Sequence, residues 1–269
     1  MIGKRVTGLI CLVLMLGGLA ACAAQTKVPG YRTGRTIATG RLRDTTFSLV
    51  ASAENSTTDY QRQYGYIEDI GDGRGYTAGI IGFTSGTGDL AQVVATYVKL
   101  KPKNNGLRQY LPALKRVNGT ASHRGLGPGF VRAWQQAGHD RQLVVAENQE
   151  LDRLYLRPVL RAAQQDDLSP LGQYIYYDAI VVHGPGKDTS SFGGIRRRAK
   201  QLARTPAQGG DQAHYLRVFL RERTKVMKQE AAHKDLSRLT TQRQFIHDGR
   251  YDLRRPLRWQ MYGDRYQLR

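Results

Sequence analysis

The chain has 269 residues, 41 Lys and Arg against 22 Asp and Glu, a formal charge of +19 and 40% hydrophobic residues. That length is ample for a buried core in one large domain or two small ones, and the apolar share excludes wholesale disorder. No collagen, heptad or solenoid period runs through the body, and the two cysteines, Cys11 and Cys22, are too few for a disulfide framework or a zinc–cysteine site.

The chain opens with the pattern of a bacterial export signal. Lys4 and Arg5 precede an almost wholly apolar run, residues 6–21, that has no carboxylate. The run is short of the ~20 residues that span a bilayer. Leu19-Ala20-Ala21-Cys22 has the form of a lipobox, cut before a cysteine that is then acylated; an ordinary secretory signal cut near Ala23 or Ala24 is the other reading. Residues 1–21 are assigned to a lipoprotein-type signal, with Cys22 as the lipidation site. The protein is expected outside the cytoplasm, anchored to the envelope or freely secreted.

Cleavage there removes two basic residues and no acid, so the remainder stays strongly basic and suits anionic partners such as the cell envelope. The arginines are scattered, densest at residues 196–198 and 254–255, and mostly fit a solvated basic face. No helix-turn-helix, RNP or zinc-finger signature points to specific nucleic-acid binding.

Residues 22–43, rich in Thr, Gly, Arg and Lys, read as a flexible tether, and residues 44–269 as the folded domain. Phe47, Leu49, Val50 and Ala53 form a helical apolar stripe, which predicts a helix over residues 44–56 capped by Asp44 or Thr45. Strands are expected over residues 66–70 and 79–83, separated by the glycine-dense segment 71–75. Helical patterns follow over residues 89–99, 107–117, 129–136, 139–165 with a break before Pro158, 171–183, 195–203, 211–233 and 237–247. The fold class is α+β, mainly helical, with a small sheet early in the chain. Strand and helix do not alternate, which argues against a doubly wound nucleotide-binding sheet.

Several short motifs fail on their chemistry. Gly71-x-Gly73-x-Gly75 lacks the dinucleotide-binding spacing, and no helical pattern follows it. Gly186-Lys187 is followed by Asp188, where a phosphate-binding loop needs Ser or Thr. Asp69 to Gly73 puts Gly71 at a calcium-ligand position. The six histidines form no close ligand pair, and no Gly-x-Ser-x-Gly elbow is present. No metal or organic cofactor is implied.

Carboxylates remain. Glu54 falls near the end of the first predicted helix, and Asp72 sits at the tip of the glycine turn with Arg74 two residues on. A protonated acid that donates to a leaving oxygen and an ionised one that activates water are the pair that cuts glycosidic bonds. Glycine around Asp72 lets the backbone turn sharply and leaves room for a sugar ring.

Longer segments sharpen this pair. Residues 52–56, Ser-Ala-Glu-Asn-Ser, and residues 63–77, Gln-Tyr-Gly-Tyr-Ile-Glu-Asp-Ile-Gly-Asp-Gly-Arg-Gly-Tyr-Thr, resemble the signature of the family 46 glycoside hydrolases, the chitosanases. So do residues 79–83, 85–89, 110–114, 176–180, 183–186 and 203–210, in order and at nearly constant spacing from about Leu49 onward. The resemblance implies a two-lobed, mainly helical, lysozyme-like fold with a cleft between the lobes. It implies endo-hydrolysis of β-1,4 bonds between glucosamine residues with inversion, the two carboxyl groups roughly 6.5–9.5 Å apart or more to admit water.

By the same resemblance Glu54 is the general acid, with a raised pKa; Asp72 is the general base; and Thr77 helps hold the attacking water. Asp89 is an acidic subsite residue for a glucosamine ammonium; Arg74, beside the base, and Tyr60, where relatives often carry Trp, are further candidate substrate contacts, Arg74 otherwise bonding the loop carbonyls and Tyr60 otherwise a core aromatic. Glu68, Asp178, Arg223 and Arg238 correspond to an ion network behind the cleft. Thr84 and Lys187 depart from the Cys and Asn common in the family.

Chitosan is itself a polycation near and below neutral pH, and in physiological salt steering fades beyond a Debye length of ~8 Å. Local acids must therefore dominate the cleft, while the basic surface suits docking on an anionic envelope. Other readings keep the catalytic pair for another amino-sugar polymer such as peptidoglycan, or make the chain a non-catalytic cationic envelope binder. The protein is expected to be a monomer.

Overall fold

A computed structural model describes residues 34–229 and 235–269. The signal segment, Cys22 and most of the expected tether lie outside the described residues.

The domain begins earlier than its apolar periodicity suggests. Helix α1 (Gly40–Glu54) starts before Asp44, with Thr39 rather than Asp44 or Thr45 at its N-cap. Ile37 is fully buried and donates its N–H to Gln173 Oε1 at 3.0 Å. Arg43 reaches Asp152 at 2.8 Å and Asn148 at 2.9 Å, with its guanidinium 4.4 Å from the Phe47 ring centre. One isoleucine and one arginine stem thus seat a segment expected in the tether; a long amphipathic side chain buries its apolar part without showing as an apolar residue.

Three short strands follow: β1 (Ile67–Asp69), β2 (Tyr76–Ala78) and β3 (Phe83–Thr84), antiparallel in the order β1-β2-β3. Thr77 lies opposite both Glu68 and Thr84. Of the strand expected over residues 79–83, residues 79–82 form a turn instead and Phe83 opens β3. Gly79 and Gly82 stand at φ +76 and +72, in the left-handed region that interrupts an extended run, and Gly82 N–H donates to the Gly79 carbonyl at 3.2 Å.

Helices α2 (Asp89–Leu100), α3 (Leu111–Val117), α4 (Pro128–Ala137) and α5 (Arg141–Leu151) come next. After α5, residues Asp152–Leu156 widen into a π turn that leads into α6 (Arg157–Asp166). Pro158 explains the widening, since it lacks an N–H and its ring crowds the carbonyl one turn back.

Helix α7 (Pro170–His183) is the spine of the core and is buried continuously from Pro170 to Ile180, as expected for a helix apolar on every side. Helices α8 (Phe192–Leu202), α9 (Gln212–Met227) and α10 (Ser237–His247) complete the helical part. Asp140, Ser169 and Asp211 cap α5, α7 and α9 through backbone N–H groups.

The C-terminal hairpin of β4 (Leu257–Met261) and β5 (Asp264–Leu268) is an addition to the sequence-based expectation. Leu257, Trp259 and Met261 point inward, while Arg258 and Gln260 point outward. The tight turn holds Tyr262 and Gly263 at φ 52 and 88. Trp259 Nε1 donates to Ser52 Oγ at 2.9 Å, and Thr241 Oγ1 donates to the Gln260 carbonyl at 2.8 Å. The hairpin thereby ties the C-terminal turn of α1 to α10, and Glu54 ends α1 two residues past Ser52.

Candidate active site

A cleft of ≈ 610 Å³ is lined from one side by Tyr66, Ile70, Arg74, Thr77, the 79–82 turn, Thr84, Thr87 and Asp89. Glu54 and Asn55 line it from the end of α1, residues 181–185 from the end of α7, and Leu154 and Tyr155 from the π turn.

Glu54 is half-exposed, and its Oε1 accepts from Arg238 Nη2. The same guanidinium donates through Nε to Asp178 Oδ1 at 2.8 Å. The second Asp178 oxygen accepts from Arg223 Nη1 at 2.6 Å and from Gln242 Nε2 at 2.7 Å. Asp178 and Arg223 are fully buried. Burial alone would favour a neutral Asp178, but Arg238 and Arg223 outweigh it and hold the carboxyl down to about 2. One continuous chain of charges therefore joins α1, α10, α7 and α9. It reaches the cleft again where Arg223 Nε meets His183 Nε2 at 3.2 Å.

Glu68, expected in this network, stands apart from it. Its exposed carboxylate accepts from the Tyr66 hydroxyl at 3.0 Å. It lies on the outer strand β1, while the network is carried by helices.

Asp72 sits at the tip of the β1–β2 connection, where Gly71, Gly73 and Gly75 all adopt positive φ. A Cβ at Gly75 would overlap Ser85 Oγ, so this position requires glycine for space as well as for conformation. Asp72 Oδ1 accepts from the Arg74 N–H at 3.0 Å, and Oδ2 accepts from Arg74 Nε at 2.8 Å. Partial burial would raise the carboxyl, but the contacts from Arg74 prevail and keep it below the usual carboxylate range. Arg74 lines the cleft; the Asp72 side chain is turned to Arg74 rather than into the lining.

Thr77 is on the central strand and lines the cleft. Its Oγ1 is buried and, among the described residues, has no hydrogen-bond partner. Asp89 opens α2, and its Oδ1 accepts from Thr84 N–H at 2.8 Å, Thr87 Oγ1 at 2.9 Å and Leu90 N–H at 2.8 Å. Its Oδ2 accepts from the Tyr155 hydroxyl at 3.2 Å. Burial raises the Asp89 carboxyl above its ordinary value in spite of these four donors. Tyr60 lies elsewhere: its hydroxyl donates to Asp44 at 2.8 Å, and its ring packs edge-on against Phe47 at 5.4 Å. It is absent from the cleft lining.

The family model for glycosyl hydrolase family 46 matches residues 48–257. This chain belongs to glycosyl hydrolase family 46. Among the family 46 relatives, a chitosanase from a Streptomyces species is 52% identical over 93% of this chain and 88% of that protein. A Nocardioides chitosanase is 52% identical over 84% of this chain and 81% of its own length. A co-crystal structure of a chitosanase with substrate superposes with a TM-score of 0.84 at 50% identity, covering 87% of this chain and 99% of the other. The family 46 enzyme described here thus has the two-lobed, lysozyme-like fold, and it is a glycoside hydrolase.

Two parts of its cleft escape a reading of the sequence alone. Tyr155 reaches Asp89 from the π turn, for which Pro158 is the one signal in the sequence. His183 ends α7 beside the Gly184–Pro185 turn and joins the cleft to Arg223.

Proposed function

We propose that this enzyme cuts β-1,4 bonds within chitosan by a single displacement that inverts the anomeric centre. The observation that carries this reading is the placement of Glu54 and Thr77 on separate elements around one cleft, with Asp72 on the loop that leads into the Thr77 strand. The chitosanases that resemble the chain over most of its length support the substrate class.

In the proposed reaction a water held by Thr77 Oγ1 gives a proton to Asp72 as its oxygen attacks the anomeric carbon. The bond to the glycosidic oxygen breaks on the opposite face, and that oxygen takes the Glu54 proton. Glu54 becomes a carboxylate in this step, and Arg238 already stands beside it to stabilise the new charge. Asp178 holds Arg238 from behind, so the acid keeps one orientation during the transfer. Asp89 offers a carboxylate to a glucosamine ammonium at a neighbouring subsite.

No helix among the described residues is long and apolar enough to cross a membrane. Export by the N-terminal signal, with a lipid on Cys22 or free release, fits this reading. The basic surface then serves to hold the enzyme on an anionic envelope. Neutralising exposed arginines such as Arg254 should release the protein from anionic vesicles and leave chitosan turnover intact; unchanged adhesion would count against the docking role.

The activity is tested by incubating the protein with highly de-acetylated chitosan and, separately, with peptidoglycan. Rapid loss of chitosan viscosity with accumulation of short glucosamine oligomers supports the proposal. Cleavage of peptidoglycan alone would move the assignment to cell-wall glycan, and no cleavage of either would leave a binding protein.

A further inference from the structure

Glu147 is a buried acid that the reaction above does not use. It lies on α5 with no exposed surface, directly beneath the turn that follows Thr77. Its Oε2 accepts the Ile80 N–H at 2.9 Å. Its Oε1 is buried and, among the described residues, has no hydrogen-bond partner. The contact with the turn is close on both sides of that bond. A Cβ at Gly79 would overlap the Glu147 carboxylate and lie 2.8 Å from its Cδ, so a side chain at Gly79 is excluded by Glu147 itself.

The turn held in this way is part of the cleft. Gly79, Ile80, Ile81 and Gly82 all contribute to its lining. At the far end of the turn a Cβ on Gly82 would come within 2.9 Å of Thr77 Cγ2, so the backbone of Gly82 rests against the Thr77 side chain. The carboxyl of Glu147, the Ile80 N–H, the Gly79–Gly82 backbone and Thr77 thus form one contiguous stack from α5 to the cleft.

We propose that Glu147 is a positioning residue for the hydrolytic step: by accepting the Ile80 N–H it fixes the height of the 79–82 turn and, through it, the Thr77 hydroxyl that holds the attacking water. The inference rests on the role given to Thr77 above. A glutamate suits this task because its side chain reaches from α5 to the turn, where an aspartate would fall short. A neutral carboxyl suits the site better than a charged one, since a carboxylate there would leave Oε1 as an uncompensated buried charge. Burial pushes the Glu147 carboxyl well above its ordinary value, in keeping with that choice.

The test is steady-state kinetics on a soluble glucosamine oligomer with Glu147→Gln, Glu147→Asp and Glu147→Leu, with thermal unfolding measured in parallel. Glutamine keeps an acceptor oxygen at the same reach and should hold kcat within about threefold of the parent. Aspartate and leucine withdraw the acceptor and should lower kcat by about 100-fold with little change in KM, as a misplacement near 1 Å does. Val117→Ala, a core truncation on α3, serves as a control for lost stability and should keep kcat.

If the leucine variant does not fold, the aspartate variant carries the same comparison. Parent-like kcat in Glu147→Asp overturns the proposal, and so does an equal loss in Glu147→Gln and Glu147→Asp. The Thr77 role is separated by Thr77→Val. Parent-like turnover in that variant would remove the hydroxyl from the mechanism. If Thr77→Val is slow, adding Glu147→Asp should cost little more, and full additivity would show that Glu147 does not act through Thr77.

Discussion

Arg238 holds Glu54 and Asp178 with one guanidinium, Nη2 toward the cleft acid and Nε at 2.8 Å from the buried one. The two carboxylates differ in exposure, with Glu54 at 37% and Asp178 at zero. Arg238 itself is buried, and its charge is secured because Asp178 and Glu54 outweigh the cost of burial. The proposed acid is thus mounted on the core by a charged bracket.

Removing the bracket should cost both stability and catalysis. Arg238→Ala leaves Asp178 buried with Arg223 as its remaining guanidinium partner, and loss of one member of a buried pair destabilises by about 3–5 kcal/mol. Urea unfolding should show that loss, and kcat should fall even at temperatures where the variant is fully folded. A variant of normal stability and turnover would show that Glu54 needs no such support.

Asp178 also sets an acid limit on stability. Its carboxyl titrates near 3.9 in the unfolded chain and about 2 in the fold. A depressed carboxyl contributes stability above its unfolded pKa, and that contribution is lost as pH falls from about 4 toward 2. About 2 kcal/mol should disappear across that window. Asp178→Asn should be less stable than the parent at pH 6, with a flatter decline below pH 4; parallel curves would contradict the assignment.

Much of this site is legible in the sequence, and the omissions have physical causes. Glu54, Asp72, Thr77 and Asp89 stand in the segments that resemble the family signature, and Glu54, Thr77 and Asp89 line the cleft. Glu147 hides on an amphipathic helix, where a glutamate looks like a solvated residue until the 79–82 turn descends on it. Glu68 shares a strand register with Thr77, and sequence alone does not separate that neighbourhood from the helical network around Asp178. The C-terminal hairpin has a period-two pattern, Leu257, Trp259 and Met261, but arginines and glutamines surround it and Tyr262-Gly263 lacks the Asn or Asp that usually marks such a turn. Residues 79–83 are apolar enough to read as a strand, yet Gly79 and Gly82 turn the chain.

Arg74 should govern the acid side of the activity profile. Its contacts keep Asp72 ionised into the acid range, so the proposed base stays competent as pH falls. In Arg74→Ala the Asp72 carboxyl should rise toward its ordinary value, moving the acid limb of kcat/KM to higher pH. A limb that stays in place would confine Arg74 to holding the loop.

Tyr155 supports the proposed subsite acid. Among the described residues its hydroxyl is the one donor to Asp89 Oδ2, while Oδ1 has three. Tyr155→Phe should free Oδ2 and change KM for glucosamine oligomers more than kcat, whereas Asp89→Asn, which puts donors against donors, should lower both affinity and thermal stability. Equal KM in all three proteins would take Asp89 out of substrate binding.

The central claim is inversion with Glu54 as the acid, and proton NMR of the first products from de-acetylated chitosan tests it most directly. The account predicts that the parent protein releases oligomers whose new reducing ends begin as the α-anomer, and that Glu54→Gln releases almost none. Initial β-anomer, or equal cleavage by the two proteins, would contradict it.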